Sequence, residues 1–333
     1  MKFLTFIRWR EWGPDKLPFL FTFFFYAALA DRIPASRFLP EFLSGAVFLS
    51  ALAVFGYLAN DLGDREIDRA GGKANSLSGL GPRAPVLVFA GVFAVMLAAG
   101  LAFAGRAWFV PLWAAQLLAA AAYSLPPLRL KARGVWGLAA NVAAQFILPV
   151  LLVFAALGHR GWLGMSVLAA AATLRGTATE FGHQLFHLPA DREAGVGTLA
   201  VRLGEESSRR LYRFVLLLDR LAVGGIVAAL LAGLPPVAVA GLGKVHPALG
   251  LVPVYLWLLL RARGLNDPYY FSGRRPAANL LQAVFPQLVV PFYLSLVLAL
   301  RGGWNVLLPV IFLAWIVPGL TRDKIRQIAG AAR

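Results

Sequence analysis

Ten apolar runs, most of them about 20 residues long, divide this chain, and that pattern constrains its fold more than any other feature. A membrane-crossing helix needs about 20 mainly apolar residues at about 1.5 Å of rise each. The runs cover about 17–37, 41–60, 84–105, 107–123, 136–158, 161–182, 211–232, 235–261, 279–300 and, shorter, 304–320. The eighth is interrupted by Gly243, Lys244 and Pro247, so a broken or irregular helix is expected there. The sequence therefore predicts an all-α integral membrane protein with about nine transmembrane helices, or ten if the last run also crosses. Composition agrees: 59% of the 333 residues are hydrophobic and only 14% charged, where soluble domains carry about a quarter charged.

The net charge of +16 does not point to nucleic acid, because the Lys and Arg stand between long apolar runs instead of on one solvated face. They control topology instead. The N-terminal segment and the loops after runs 2, 4, 6 and 8 are rich in Arg and Lys, whereas the loops after runs 1, 3 and 5 hold only Arg32, Arg37, Arg106 and Arg160. The positive-inside rule puts the first group in the cytoplasm of a bacterial or archaeal cell. The basic tail 321–333 prefers the same side, which favours a tenth crossing. Residues 1–16 carry Trp9, Glu11, Trp12 and Asp15 and read as an interfacial segment, not a cleaved leader. There is no cysteine, so thiolate sites and cysteine nucleophiles are excluded.

Short echoes suggest an internal repeat within a single domain spanning 1–333. Leu130–Gly134 matches Leu260–Gly264, and Asp64-Arg65-Glu66 matches Asp191-Arg192-Glu193. Two four-helix halves around a central cavity would account for both.

Three segments carry candidate chemistry. Asn60, Asp64 and Asp68 follow at i, i+4, i+8 on a helix, with Asp61 beside them. Side-chain oxygens so placed repel one another unless a cation joins them, and hard oxygen donors suit Mg2+; a solvated helix end neutralised by Arg65 and Arg69 is the competing reading. The second segment, Tyr123 to Gly134, stops a helix with two prolines and presents Arg129, Lys131 and Arg133 with no acid among them. That is either a positive-inside loop or a diphosphate clamp. In the third, Arg175, Thr179, His183, His187 and Asp191 recur at i+4 steps beside Glu180 and Gln184, which reads as a lined cavity.

Together the three segments resemble the UbiA superfamily of intramembrane prenyltransferases. Asn60, Asp61, Asp64 and Asp68 match its N-D-x-x-D-x-x-x-D motif, Tyr123–Gly134 its Y-S-x-P-P-x-R-L-K-x-R-G loop, and Asp191–Gly204 the tail of its second Asp-rich motif. The likeness runs over roughly residues 15–300. It implies nine helices around a central cavity, a Mg2+ cofactor and a polyprenyl diphosphate donor. Under it Asn60, Asp61, Asp64, Asp68 and Asp191 hold metal. Lys73, Arg129, Lys131 and Arg133 meet the diphosphate, with Asp64, Asp68, Asp191 and Lys131 catalytic. Tyr123, Asn141, Arg175, Glu180, His183 and His187 line the cavity or act as a base.

Two departures stand out. The family's usual Asp four residues before Asp191 is His187 here, and its Arg-Pro lies near Asn75-Ser76, where no Arg is present. His183, His187 and Asp191 could then form a transition-metal face, or the imidazoles could simply orient Asp191. The expected activity is Mg2+-dependent transfer of a prenyl group to an aromatic or other lipophilic acceptor. A terpene cyclase of the same fold and a lipid-diphosphate binding or transport protein are the alternatives.

Overall fold

The computed structural model describes residues 2–14, 16–70, 72, 75–81, 83–239, 243–262 and 280–319. Lys73, the aromatic stretch Tyr269, Tyr270, Phe271 and the tail 321–333 lie outside these described residues.

Each apolar run carries a helix. In chain order these are α1 (Lys16–Ala30), α2 (Ala35–Ala70), α3 (Ala84–Gly100), α4 (Phe109–Ser124), α5 (Val135–Leu157) and α6 (Trp162–Glu193). They continue with α7 (Glu205–Gly233), α8 (Pro247–Arg261), α9 (Leu280–Ala299) and α10 (Gly303–Ile316). Among the described residues, α2, α3, α5, α7 and α9 are long and apolar enough to cross a bilayer by themselves. The chain is thus a helical integral membrane protein. The eighth run is interrupted as its Gly and Pro foretell: Val237–Val239 pairs antiparallel with Gly243–Val245, and the helix starts only at Pro247. Pro at a first helical position costs no hydrogen bond, which is why the start falls there.

Helix α1 is apolar all round, and 13 of its 15 residues are buried, so it stands inside the bundle and not at its edge. It packs on α5 and α9, with Phe23 against Phe154 at 5.9 Å between ring centroids and Phe21 against Phe42 of α2 at 5.0 Å. Helix α3 has the opposite character: Val86 and Leu87 are 69% and 71% exposed, apolar surface that only lipid would cover. The most extensive helix pairs are α6 with α7 and α2 with α3, which correspond to each other if the chain repeats after four helices.

Two helices widen into π turns, each just before a proline. Ala143–Ile147 precedes Pro149, and Leu280–Val289 precedes Pro291. A proline ring clashes with the carbonyl four residues back, and a wider turn relieves that clash. The first of these turns carries Gln145 and Phe146 into the site described next.

Candidate active site

Helices α2 and α6 run on past their apolar stretches, to Ala70 and Glu193, and so carry the acidic motifs to one end of the bundle. Facing them is the loop after α4. Leu125 is extended and Pro126-Pro127 prevents the helix from continuing, while Arg129 turns back through the left-handed region at φ 35°. A single 3-10 turn, Leu130–Ala132, then places Lys131 against α2. Its ammonium donates to Asp64 Oδ2 at 2.5 Å and to Asn60 Oδ1 at 2.9 Å, while Arg129 donates to Asp64 Oδ1 at 2.8 Å. Burial pushes the Lys131 pKa below its ordinary value, although Asp64 pulls it upward. Two cations on one carboxylate leave this corner net positive, a local field suited to phosphate oxygens.

Close packing fixes that corner. A Cβ on Gly63 would stand 2.3 Å from the carbonyl oxygen of Ser124, the last residue of α4, so only glycine lets α2 and α4 approach this closely. Replacing Gly63 with Ala is expected to separate Asp64 from Lys131. Displacements of that size cost catalysts about a hundredfold. Turnover and unfolding temperature of the purified variant check this, and an unchanged turnover would show that the approach is not required.

The motif's other acids have different partners. Asp61 is 2% exposed and accepts from Arg8 Nη1 at 2.7 Å and from the backbone N–H of Ser76 at 3.1 Å. In this arrangement one of its oxygens is taken by Arg8 and the other by Ser76. One residue on from Asn60, it sits about 100° further round the helix and ties down the N-terminal segment. Asp68 accepts from Asn75 Nδ2 at 2.8 Å, and the same amide reaches the carbonyl of Asp61 at 2.7 Å. Asn75 thus makes a neutral tie to the acid near the point where the family carries Arg. Arg133 is exposed and donates to the carbonyl of Pro127 at 3.0 Å, bracing its own loop away from Asp64.

Asp191, half-buried, closes α6, and the tail of its motif is bound to the basic loop. The N–H of Gly134 donates to the carbonyl of Gly197 at 2.9 Å, and Gly134 forms a parallel bridge with Thr198. A Cβ on Gly134 would lie 2.8 Å from the Arg202 side chain, and its φ is 60°, so this junction too requires glycine. Further back on α6, the rings of His183 and His187 stack edge to face, 4.4 Å apart. Among the described residues no three His, Asp or Glu side chains converge as a metal cage. The donors that do converge, Asn60 and Asp64, are oxygens alone and already hold a cationic ammonium between them. That chemistry fits Mg2+, which takes a few protein oxygens and completes its shell with water and phosphate.

Below this corner opens a cavity of about 510 Å³. Tyr57 and Asn60 of α2, Gln116 and Tyr123 of α4, Asn141, Gln145 and Phe146 of α5, and Thr179, Glu180 and His183 of α6 line it, with Lys16 of α1. Arg175 and His187 do not. Successive i+4 steps advance about 40° round a helix, so a five-member ladder cannot keep to one face. Arg175 instead lies 3.5 Å from Asp219 of α7 and donates to the carbonyl of Gln282 on α9 at 2.6 Å. Lys16, Tyr57 and Gln145 were not singled out by sequence: Lys16 counts there as a topology charge, and the other two sit within apolar runs.

Comparisons with known proteins bear on the fold and the family. The model of the UbiA prenyltransferase family matches residues 19–280. A UbiA homologue from Archaeoglobus fulgidus, bound to DMAPP and Mg2+, is 17% identical over 89% of this chain and 99% of its own, with a TM-score of 0.60. The same homologue bound to GPP and Mg2+ gives the same figures. A UbiA homologue from Aeropyrum pernix K1 is 18% identical, covering 85% of this chain and 97% of its own at a TM-score of 0.52. Likeness at this identity speaks for the fold. No protein of curated function matches the sequence. With the family model covering most of its length, the chain belongs to the UbiA prenyltransferase family.

Proposed function

We propose that this protein transfers a prenyl group from a polyprenyl diphosphate to an aromatic or other lipophilic acceptor within the membrane, with Mg2+ as cofactor. The observation that carries the reading is the Asn60–Asp64–Lys131–Arg129 corner at the mouth of a largely apolar cavity. Structures of the same fold bound to prenyl diphosphates and Mg2+ support it. Asn60 and Asp64, together with Asp68 and Asp191 near the mouth, would hold Mg2+, which supplies charge neutralisation for the diphosphate.

Lys131 and Arg129 stabilise the negative charge that grows on the diphosphate as its bond to the prenyl carbon breaks. The allylic cation so formed lies below them, where Tyr57, Tyr123 and Phe146 offer π faces and the apolar walls exclude water. The acceptor's nucleophilic atom then bonds to that carbon and releases a proton, for which Glu180 and His183 stand in the cavity wall. The site faces the cytoplasm, the side that the basic loops prefer.

Mass spectrometry of products from the purified protein, given Mg2+ and C10 to C20 prenyl diphosphates with and without aromatic acceptors, tests this. A prenylated adduct that appears only with an acceptor is expected. Hydrocarbon or terpene alcohol without acceptor would establish a cyclase, and intact diphosphate throughout would mark a binding or transport protein.

A further inference from the structure

We infer that Arg32 and Arg301 bind the headgroup phosphate of an anionic phospholipid, at the end of the bundle opposite the Asp64 corner. The site lies apart from the prenyl-transfer machinery and does not rest on that reading.

Two connections meet there. Helix α1 ends in a Schellman turn, in which the N–H of Ile33 donates to the carbonyl of Ala28 at 3.0 Å and that of Arg32 to the carbonyl of Leu29 at 3.3 Å. Such a turn needs one left-handed residue. Arg32 supplies it at φ 53°, in a position where glycine is usual. The turn between α9 and α10 comes to the same place. Arg301 Nη1 donates to the same Ala28 carbonyl at 3.2 Å, and a Cβ on Gly303 would lie 3.3 Å from the Cβ of Ala35 at the start of α2.

The two arginines brought together in this way lack an acid. Among the described residues no carboxylate lies within 4.0 Å of either guanidinium. The acids of the adjoining chain are taken: Asp31 meets His159 Nδ1 at 2.8 Å, and Glu41 accepts from Arg37 at 3.1 Å and from Arg106 at 2.9 Å. Burial and the like charge of Arg32 both lower the Arg301 pKa, and no acid offsets them. The carbonyl end of α1 compensates part of this charge, but it occupies one of the five donors of Arg301. Arg32 spends none of its side-chain donors among the described residues. Two mutually repelling cations with free donors form a site for an oxyanion that both can reach.

The surroundings say which oxyanion. Leu300, Trp304 and Val306 beside the pair are 60%, 62% and 54% exposed, apolar surface that acyl chains would cover. Tryptophan at the end of a membrane helix marks the depth of the headgroups, so a lipid phosphate stands level with the two guanidinium groups. Charge selects an anionic lipid, because a choline headgroup would add a third cation to the pair. A free phosphate would use the same donors and leave the apolar surface bare.

Photolabelling of the full-length protein in phosphatidylcholine liposomes tests this. The probe is a phosphatidylglycerol with a diazirine close to its glycerol, and labelled peptides are located by mass spectrometry. Label is expected within residues 300–307, and a phosphatidylcholine probe with the same diazirine should label them about fivefold less, the upper worth of an exposed ion pair. Arg32→Gly should lose most of the label. It also relieves the left-handed backbone, so this variant should unfold in detergent at an unchanged or higher temperature, which separates lost binding from lost folding. Arg32→Gln, which keeps a side chain at the turn without its charge, should lose the label equally, and Arg301→Lys should keep part of it. Equal labelling by both probes, or label that survives in Arg32→Gly, overturns the inference. So does displacement of the lipid probe by inorganic phosphate, which would make this a site for the free ion.

Discussion

Asp64→Asn is expected to lower prenyl transfer by about a thousandfold or more while the protein still folds. Removing one preorganised charge-stabilising contact costs catalysts about a hundred- to a thousandfold, and Asp64 organises several contacts at once. Its two oxygens hold Lys131 and Arg129 in place, and with Asn60 it offers the oxygen donors that suit Mg2+. Without the carboxylate, two cations face each other across a neutral amide, and nothing fixes either against the diphosphate. Asp61→Asn provides the contrast. That acid belongs to the same short motif, yet it holds Arg8 of the N-terminal segment. Its loss should show chiefly as a lower unfolding temperature, with activity falling in parallel. Turnover and thermal unfolding of both variants decide the matter: an active Asp64→Asn protein would remove the basis for the proposed chemistry.

The helices were legible because a bilayer dictates a length, and few soluble folds need a run of about 20 apolar residues. The two acidic motifs and the basic loop were legible because their residues are close in sequence. What escaped depends on distances through space. Lys16 stands at the start of an apolar run, where a cation ordinarily marks topology, and nothing in the sequence shows that Tyr57 and Gln145 receive its ammonium. Asn75 looks like part of a loop, and its amide ties Asp68 to the Asp61 backbone only after that loop folds back on α2. The ladder from Arg175 to Asp191 misled for a geometric reason: i+4 spacing holds a face over two members and loses it over five. Thr179, Glu180 and His183 do line the cavity, while Arg175 has turned toward α7 and α9. Asp219 lies deep within an apolar run that gives no sign of its partner.

That partnership yields the largest effect on stability. Asp219→Leu is expected to destabilise the protein by about 3–5 kcal/mol, the usual cost of removing one member of a buried ion pair. Arg175 and Asp219 are 1% and 0% exposed, and Arg220, the next residue on α7, is 9% exposed, so two guanidinium groups and one carboxylate are enclosed together inside the bundle. Gln282 completes the cluster: its amide nitrogen donates to Asp219 at 3.0 Å, and its amide oxygen accepts from Arg220 Nε at 3.1 Å. Even so, Arg175 Nε and Arg220 Nη2 find no hydrogen-bond acceptor among the described residues, so the cluster has no spare capacity to absorb the loss of a charge. The cluster joins α6, α7 and the π turn of α9, and Phe19 of α1 covers Arg175 at 5.3 Å from its ring centre. Breaking it should loosen the second half of the bundle against α1 before it touches the Asp64 corner, whose hydrogen bonds run to Asn60, Arg129 and Lys131 instead. Unfolding of the purified variant in detergent, followed by heat and by protease susceptibility, should show a lowered midpoint with cleavage appearing first in α7 or α9. An unchanged midpoint would mean that Arg175 and Arg220 reach other acceptors and that Asp219 is not what holds these helices together.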